Sequence, residues 1–151
     1  MLTSKPIQFI NGGYTGLTFA IHSQVEESDV FIKNLEQLIV MSSQFLYKVT
    51  NKRSRFNQVD IIVPKTWTHK QFYSKITGSQ FGKSHVRIGL SRRFGDEPFT
   101  VQPRGCGQPG EFIGLSDNFI KELNNKTKQE FGSAGWSHNE HESMLTVLLF
   151  Y

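Results

Sequence analysis

Two histidines and two glutamates crowd into one short stretch near the end of the 151-residue chain, Ser137-His138-Asn139-Glu140-His141-Glu142-Ser143-Met144-Leu145. These side chains could build a zinc site. A catalytic zinc takes three protein ligands, keeps a fourth position for water and lowers the pKa of that water. On a metalloprotease helix two histidines stand one turn apart, at i and i+4, and a glutamate beside the first acts as general base. From His141 the chain supplies Glu142 in the place of the base and Leu145 in the place of the second histidine. His138 precedes His141 by three residues, which on a helix puts both on one side. Residue types therefore offer His138 and His141 as metal ligands and Glu142 as catalytic base. Two ligands without a third make a weak site, and the competing reading is a polar, histidine-rich tail. His22, His69 and His85 are scattered, and a third ligand would have to be recruited from afar, with His85 as one source.

Other stretches carry less. The loop Gly95-Asp96-Glu97-Pro98-Phe99, with Arg104-Gly105-Cys106-Gly107 behind it, lacks the Gly-Lys-Ser/Thr ending of a phosphate-cradling loop and reads as a connection between strands. Cys106 has no histidine tied to it by local spacing, so a disulfide or a buried thiol is expected before a nucleophile. Asn125-Lys126-Thr127 is a glycosylation sequon, which matters only in a secreted chain.

Composition bounds the remaining classes. The hydrophobic fraction is 37%, with 13 phenylalanines, which argues for a packed core and against disorder. A single domain over 1–151 is the expectation from length. The net charge of +4 raises nucleic acid as a partner, but Lys52, Arg53 and Arg55 form one small cluster and Arg92 and Arg93 another, with no regular basic spacing. A solvated basic surface is expected, with no nucleic acid. No run approaches the ~20 apolar residues of a membrane-spanning helix, and Thr3, Ser4, Lys5 and Pro6 do not resemble a signal peptide. Read literally, the lone cysteine and the missing leader describe a cytosolic chain.

The elements that would position these groups follow from periodicity. Ile7, Phe9, then Leu17, Phe19 and Ile21 alternate around Asn11-Gly12-Gly13, predicting a hairpin over 7–21. Ser28 or Asp29 caps a helix over 29–50, whose stripe runs Phe31, Leu35, Leu38, Phe45 and Val49, broadened by Ile32, Ile39 and Leu46. Val59 to Val63, stopped by Pro64, predicts a buried strand. A short helix is expected over 68–76, a strand over 85–90, irregular chain over 91–110, a strand over 112–115 and a capped helix ending near Leu123. Helices between strands give an α/β class of mixed α+β layers.

These segments resemble a family. Asn11-Gly12-Gly13-Tyr14-Thr15-Gly16-Leu17 followed by Ala20-Ile21 is similar to the opening of the calcium-activated chloride channel regulator (CLCA) N-terminal domain. The stretch from Glu26 through the long helix to Thr50-Asn51-Lys52-Arg53 follows in the same order and spacing. Val59-Asp60-Ile61-Ile62-Val63-Pro64-Lys65-Thr66-Trp67 resembles the family's strand that ends in Ile-Pro-x-x-Trp. Gly95-Asp96-Glu97-Pro98-Phe99-Thr100, Gly105-Cys106-Gly107-Gln108-Pro109-Gly110-Glu111 and Leu115-Ser116-Asp117-Asn118-Phe119 continue it.

The resemblance implies a secreted or cell-surface protein whose first domain is zincin-like, of metalloprotease type. In that family the domain carries an intact zinc motif, cleaves its own precursor and precedes a von Willebrand type A domain. The family modulates chloride conductance as a regulator and not as a pore, so a chloride channel or another cell-surface protein is the implied partner, and zinc the implied cofactor. His141 and Glu142 carry over as first ligand and general base. Leu145 does not carry over, and about 136–151 diverges. The expectation is a domain truncated at its active-site helix and catalytically inactive as it stands. The alternatives are a zinc-dependent, self-cleaving metalloprotease and a non-catalytic extracellular interaction module that uses the 91–110 loop.

Overall fold

The computed structural model describes residues 6–68, 74–75, 80–90 and 96–123. Among them the chain opens with a hairpin, β1 (Gln8–Ile10) and β2 (Gly13–Thr15). Asn11 and Gly12 take φ of 52° and 73°, the left-handed pair that a two-residue turn between twisted strands requires. Gly16, at φ 86°, then redirects the chain. The predicted second strand is thereby split: β2 stays with β1, while β3 (Leu17–Ile21) enters a different sheet. β2 also pairs in parallel with β4 (Arg55–Phe56), giving a small sheet of order β1-β2-β4. Asn57 ties it together, donating from Nδ2 to the Ile10 carbonyl at 3.0 Å and occupying the space where a Cβ on Gly13 would stand.

The predicted helix is α1 (Asp29–Val49). Ser28 is its N-cap: Oγ accepts the Phe31 amide at 3.3 Å, satisfying one of the donors that a helix start leaves over. Phe31, Ile32, Leu35, Leu38 and Leu46 are buried as the stripe predicts, whereas Val49 is exposed. At the far end Thr50 Oγ1 donates to the Leu46 carbonyl, and Asn51 and Lys52 adopt positive φ, which ends the helix.

The larger sheet has the order β6-β5-β3-β7-β9-β8, built from β5 (Val59–Val63), β6 (Ser74–Lys75), β7 (Val86–Gly89), β8 (Phe99–Val101) and β9 (Phe112–Ser116) around β3. All neighbours run parallel except β8, which lies antiparallel to β9 at one edge. Two predictions change here. Residues 74–75 form a strand where a helix is expected, and β8 lies inside the stretch read as irregular, held by its pairing to β9. The mixed α+β class stands.

Register explains the core. Phe19 lies opposite Val86 and Ile21 opposite Ile88, while Val86 and Ile88 face Ile113 and Leu115 on their other side. These six side chains form an apolar layer that packs in one cluster with Phe31, Leu35 and Leu38 of α1. The short α2 (Asp117–Lys121) follows β9; Phe119 and Ile120, with Leu123 just beyond, join the same cluster. Asn34 fastens the two helices, donating from Nδ2 to the Ile120 carbonyl at 3.0 Å. The turn from Pro64 to Trp67 explains the Pro-x-x-Trp spacing. It delivers the indole into the core at 4% exposure, edge-on to Phe31, with Nε1 donating to the Val25 carbonyl at 3.1 Å.

Candidate functional site

His138, His141 and Glu142 lie outside the described residues, as does His69. Among the described residues no three His, Cys, Asp or Glu side chains come together to hold a metal ion. His85, the distant ligand considered from sequence, is 2% exposed and engaged. Its Nδ1 accepts the Thr18 amide at 3.1 Å and lies 2.9 Å from Thr18 Oγ1, while its own amide donates to that hydroxyl. This nitrogen locks β3 to the entry of β7 and is not available to a metal. Cys106 is also corrected: it is free and exposed, between Gly105 and Gly107 at φ 89° and 80°, and neither buried nor bridged.

The described residues converge instead at the carboxyl ends of the parallel strands. From β3 the chain leaves through α1 towards β5 on one side, and from β6 it returns to β7 on the other. The gap between β3 and β7 is therefore a topological switch point, the place where open α/β sheets form a crevice. A cavity of about 380 Å³ lies over β7, β9 and β8 and reaches this gap at His22 and Gln24. That volume falls within the range of ordinary ligand pockets.

His22 follows directly on β3, its amide donating to the Ile88 carbonyl at 2.8 Å. Nδ1 of its ring accepts the Gln24 amide at 3.2 Å, which leaves the proton of the neutral imidazole on Nε2. The ring stands edge-on to Phe81, 5.2 Å between centroids, in the 3₁₀ turn Phe81–Lys83. Next to it, the Arg87 guanidinium lies 3.8 Å from the centre of the Phe112 ring. It donates to the Gly82 carbonyl at 2.6 Å and to Ser84 at 3.3 Å, a stacked and bonded cation with a fixed orientation. Phe99 crosses Phe112 edge-on at 6.4 Å and lies over Gly114, where a Cβ would collide with its ring. Ser116 closes the floor, donating to the Asp96 carbonyl at 3.4 Å and capping α2 through Phe119. Glu97 and Gln24 reach the same cavity from exposed positions.

Sequence reasoning missed His22, Gln24 and Glu97 as members of one site, because only the pairing of β3, β7 and β9 unites them. One signal was present: Gly89 in the middle of an apolar strand pattern, which marks a bulge or a close approach.

The family described as calcium-activated chloride channel N terminal matches residues 7–142. The chain is 35% identical to calcium-activated chloride channel regulator 2 of Mus musculus over 133 residues, 83% of this chain and 14% of that protein. It is 34% identical to regulator 2 of Homo sapiens over 139 residues, 87% of this chain and 14% of that protein. With regulator 1 of Homo sapiens it shares 33% over 144 residues, 91% of this chain and 15% of that protein. The chain thus spans a small part of the length of these relatives. No solved structure matches. No described helix is long and apolar enough to cross a membrane.

Proposed function

Because the chain belongs to the calcium-activated chloride channel regulator family, matching its N-terminal domain, we propose that it acts as a non-catalytic interaction module in the modulation of chloride conductance at the cell surface. The single observation that carries this reading is Leu145. A zinc centre needs a donor atom one turn after His141, and leucine has none. Zinc would find His138 and His141 as ligands and Glu142 as base, one ligand short of the three that a catalytic zinc takes. A zincin-type fold fits the mixed sheet, parallel but for the antiparallel edge strand β8. An extracellular setting is consistent with family membership, and a chloride channel or a neighbouring cell-surface protein is the partner we favour.

The module presents the cavity at the β3/β7 switch point as its contact site. The test has two arms. Purified chain is expected to hold zinc well below one equivalent, and to alter calcium-activated chloride current when applied outside epithelial cells. One tight equivalent of zinc, lost in His141→Ala, would establish the metalloprotease reading in its place. Current indifferent to the protein would remove the regulatory role.

A further inference from the structure

Gly89 is the last residue of β7, a position where a side chain would strengthen the strand. Its φ is not among the positive ones, so the backbone does not demand glycine. Packing among the described residues does not demand it either: a Cβ built there meets none of their atoms within 4 Å. Gly114, on the neighbouring strand and the same face, differs, since the Phe99 ring fills its space. Its pairing with β9 is continuous from Val86 to Gly89, without a bulge, so this glycine leaves the backbone open to close approach by something else. The space above Gly89 belongs to the cavity at the switch point.

We propose that this cavity binds the side chain of a tyrosine presented by a partner polypeptide. Phe81, Phe99 and Phe112 give it aromatic walls, and the bare Gly89 backbone leaves room for a flat ring between them. The polar groups beside these walls define the rest of the ligand. His22 offers an Nε2 proton, because Nδ1 is taken by the Gln24 amide. Glu97 offers carboxylate oxygens, and neither it nor the Gln24 side chain has a partner among the described residues. A donor and an acceptor on one cavity call for a group that is both, and a phenol hydroxyl is both. Phenylalanine would satisfy only the walls, and an indole N–H only the acceptor. Aromatic anchors in such pockets are the usual centres of binding energy at interfaces. The inference rests on the interaction-module reading and adds the chemistry of the partner.

The test is an amide-shift titration of the full chain with N-acetyl-tyrosinamide and, in parallel, N-acetyl-phenylalaninamide. Saturable shifts are expected at the Gly89, Gly114 and Ser116 amides, with the phenylalanine probe about thirtyfold to a hundredfold weaker, the worth of the two net hydrogen bonds it cannot make. Gly89→Leu fills the cavity and is expected to abolish the shifts while the melting temperature holds. Should that variant not fold, Glu97→Ala and His22→Ala serve instead, each weakening the tyrosine probe about tenfold and leaving the phenylalanine probe unchanged. Equal affinities, absent saturation or binding that survives Gly89→Leu would overturn the proposal. Failure here with the chloride-current effect intact condemns the tyrosine site and spares the module; saturable binding with no current effect does the reverse.

Discussion

The two faces of the larger sheet are built by opposite rules. On one, Phe19, Ile21, Val86, Ile88, Ile113 and Leu115 interlock across three parallel strands and disappear beneath the helices. On the other, the paired positions hold Ala20, Arg87, Gly89, Gly114 and Ser116, with aromatic rings leaning in from β8 and the start of β9. The first face supplies burial, at ~1.5–3 kcal/mol for each large side chain removed from water. The second supplies shape and oriented polar groups.

The packed face is most sensitive at Phe19. Its side chain is fully buried at the centre of the packed face, so Phe19→Ala is expected to cost about 3–5 kcal/mol. Urea unfolding should show a lower midpoint at an unchanged slope. A loss below about 1 kcal/mol would mean that the two faces share the burden after all. Gly114→Ala attacks the open face at its one crowded point. The new methyl must displace the Phe99 ring, and a cost of about 1–3 kcal/mol is expected, as for other overpacked sites. The edge-on contact of Phe99 with Phe112 should be lost with it, visible as altered ring-proton shifts.

His85 anchors the amino end of the open face by polar means. Removing the ring in His85→Ala leaves the Thr18 amide without its acceptor at a half-buried position, a penalty of about 1 kcal/mol. Hydrogen exchange at the Thr18 amide should accelerate beyond what global destabilisation accounts for. Exchange that tracks global stability would show that water replaces the ring and that the bracket is dispensable.

Which parts of this were legible in the sequence follows from range. The α1 helix was, because Ser28 and the stripe from Phe31 to Leu46 act within a few residues of one another. So were β5, β7 and β9, whose β-branched runs need no partner to be recognised. The break at Gly16 was hidden, since alternation continues across it while the backbone turns into another sheet. β8 was hidden for the opposite reason: Phe99-Thr100-Val101 sits among prolines and glycines and becomes a strand only through its register with β9. The site divides the same way. His141 and Glu142 are adjacent and could be read at once, whereas His22 and Glu97 meet at one cavity only after β3, β7 and β9 pair. Long-range pairing leaves no local mark, except a glycine where a strand former would do better.

That glycine gives the smallest and most discriminating prediction. Gly89 and Gly114 share a face, and among the described residues only the second has a neighbour in the place of its Cβ. Gly89→Ala is therefore expected to stabilise the protein, by about 0.5–1 kcal/mol, through the conformational freedom that alanine denies the unfolded chain. Gly114→Ala moves stability the other way by a larger amount. Thermal unfolding of the two variants, and of the double variant, would read both signs at once. The sites lie close on neighbouring strands, so strict additivity is not assumed. If Gly89→Ala lost stability, the space above it would be taken by the fold itself, and the open face would be a second core with no room for a partner.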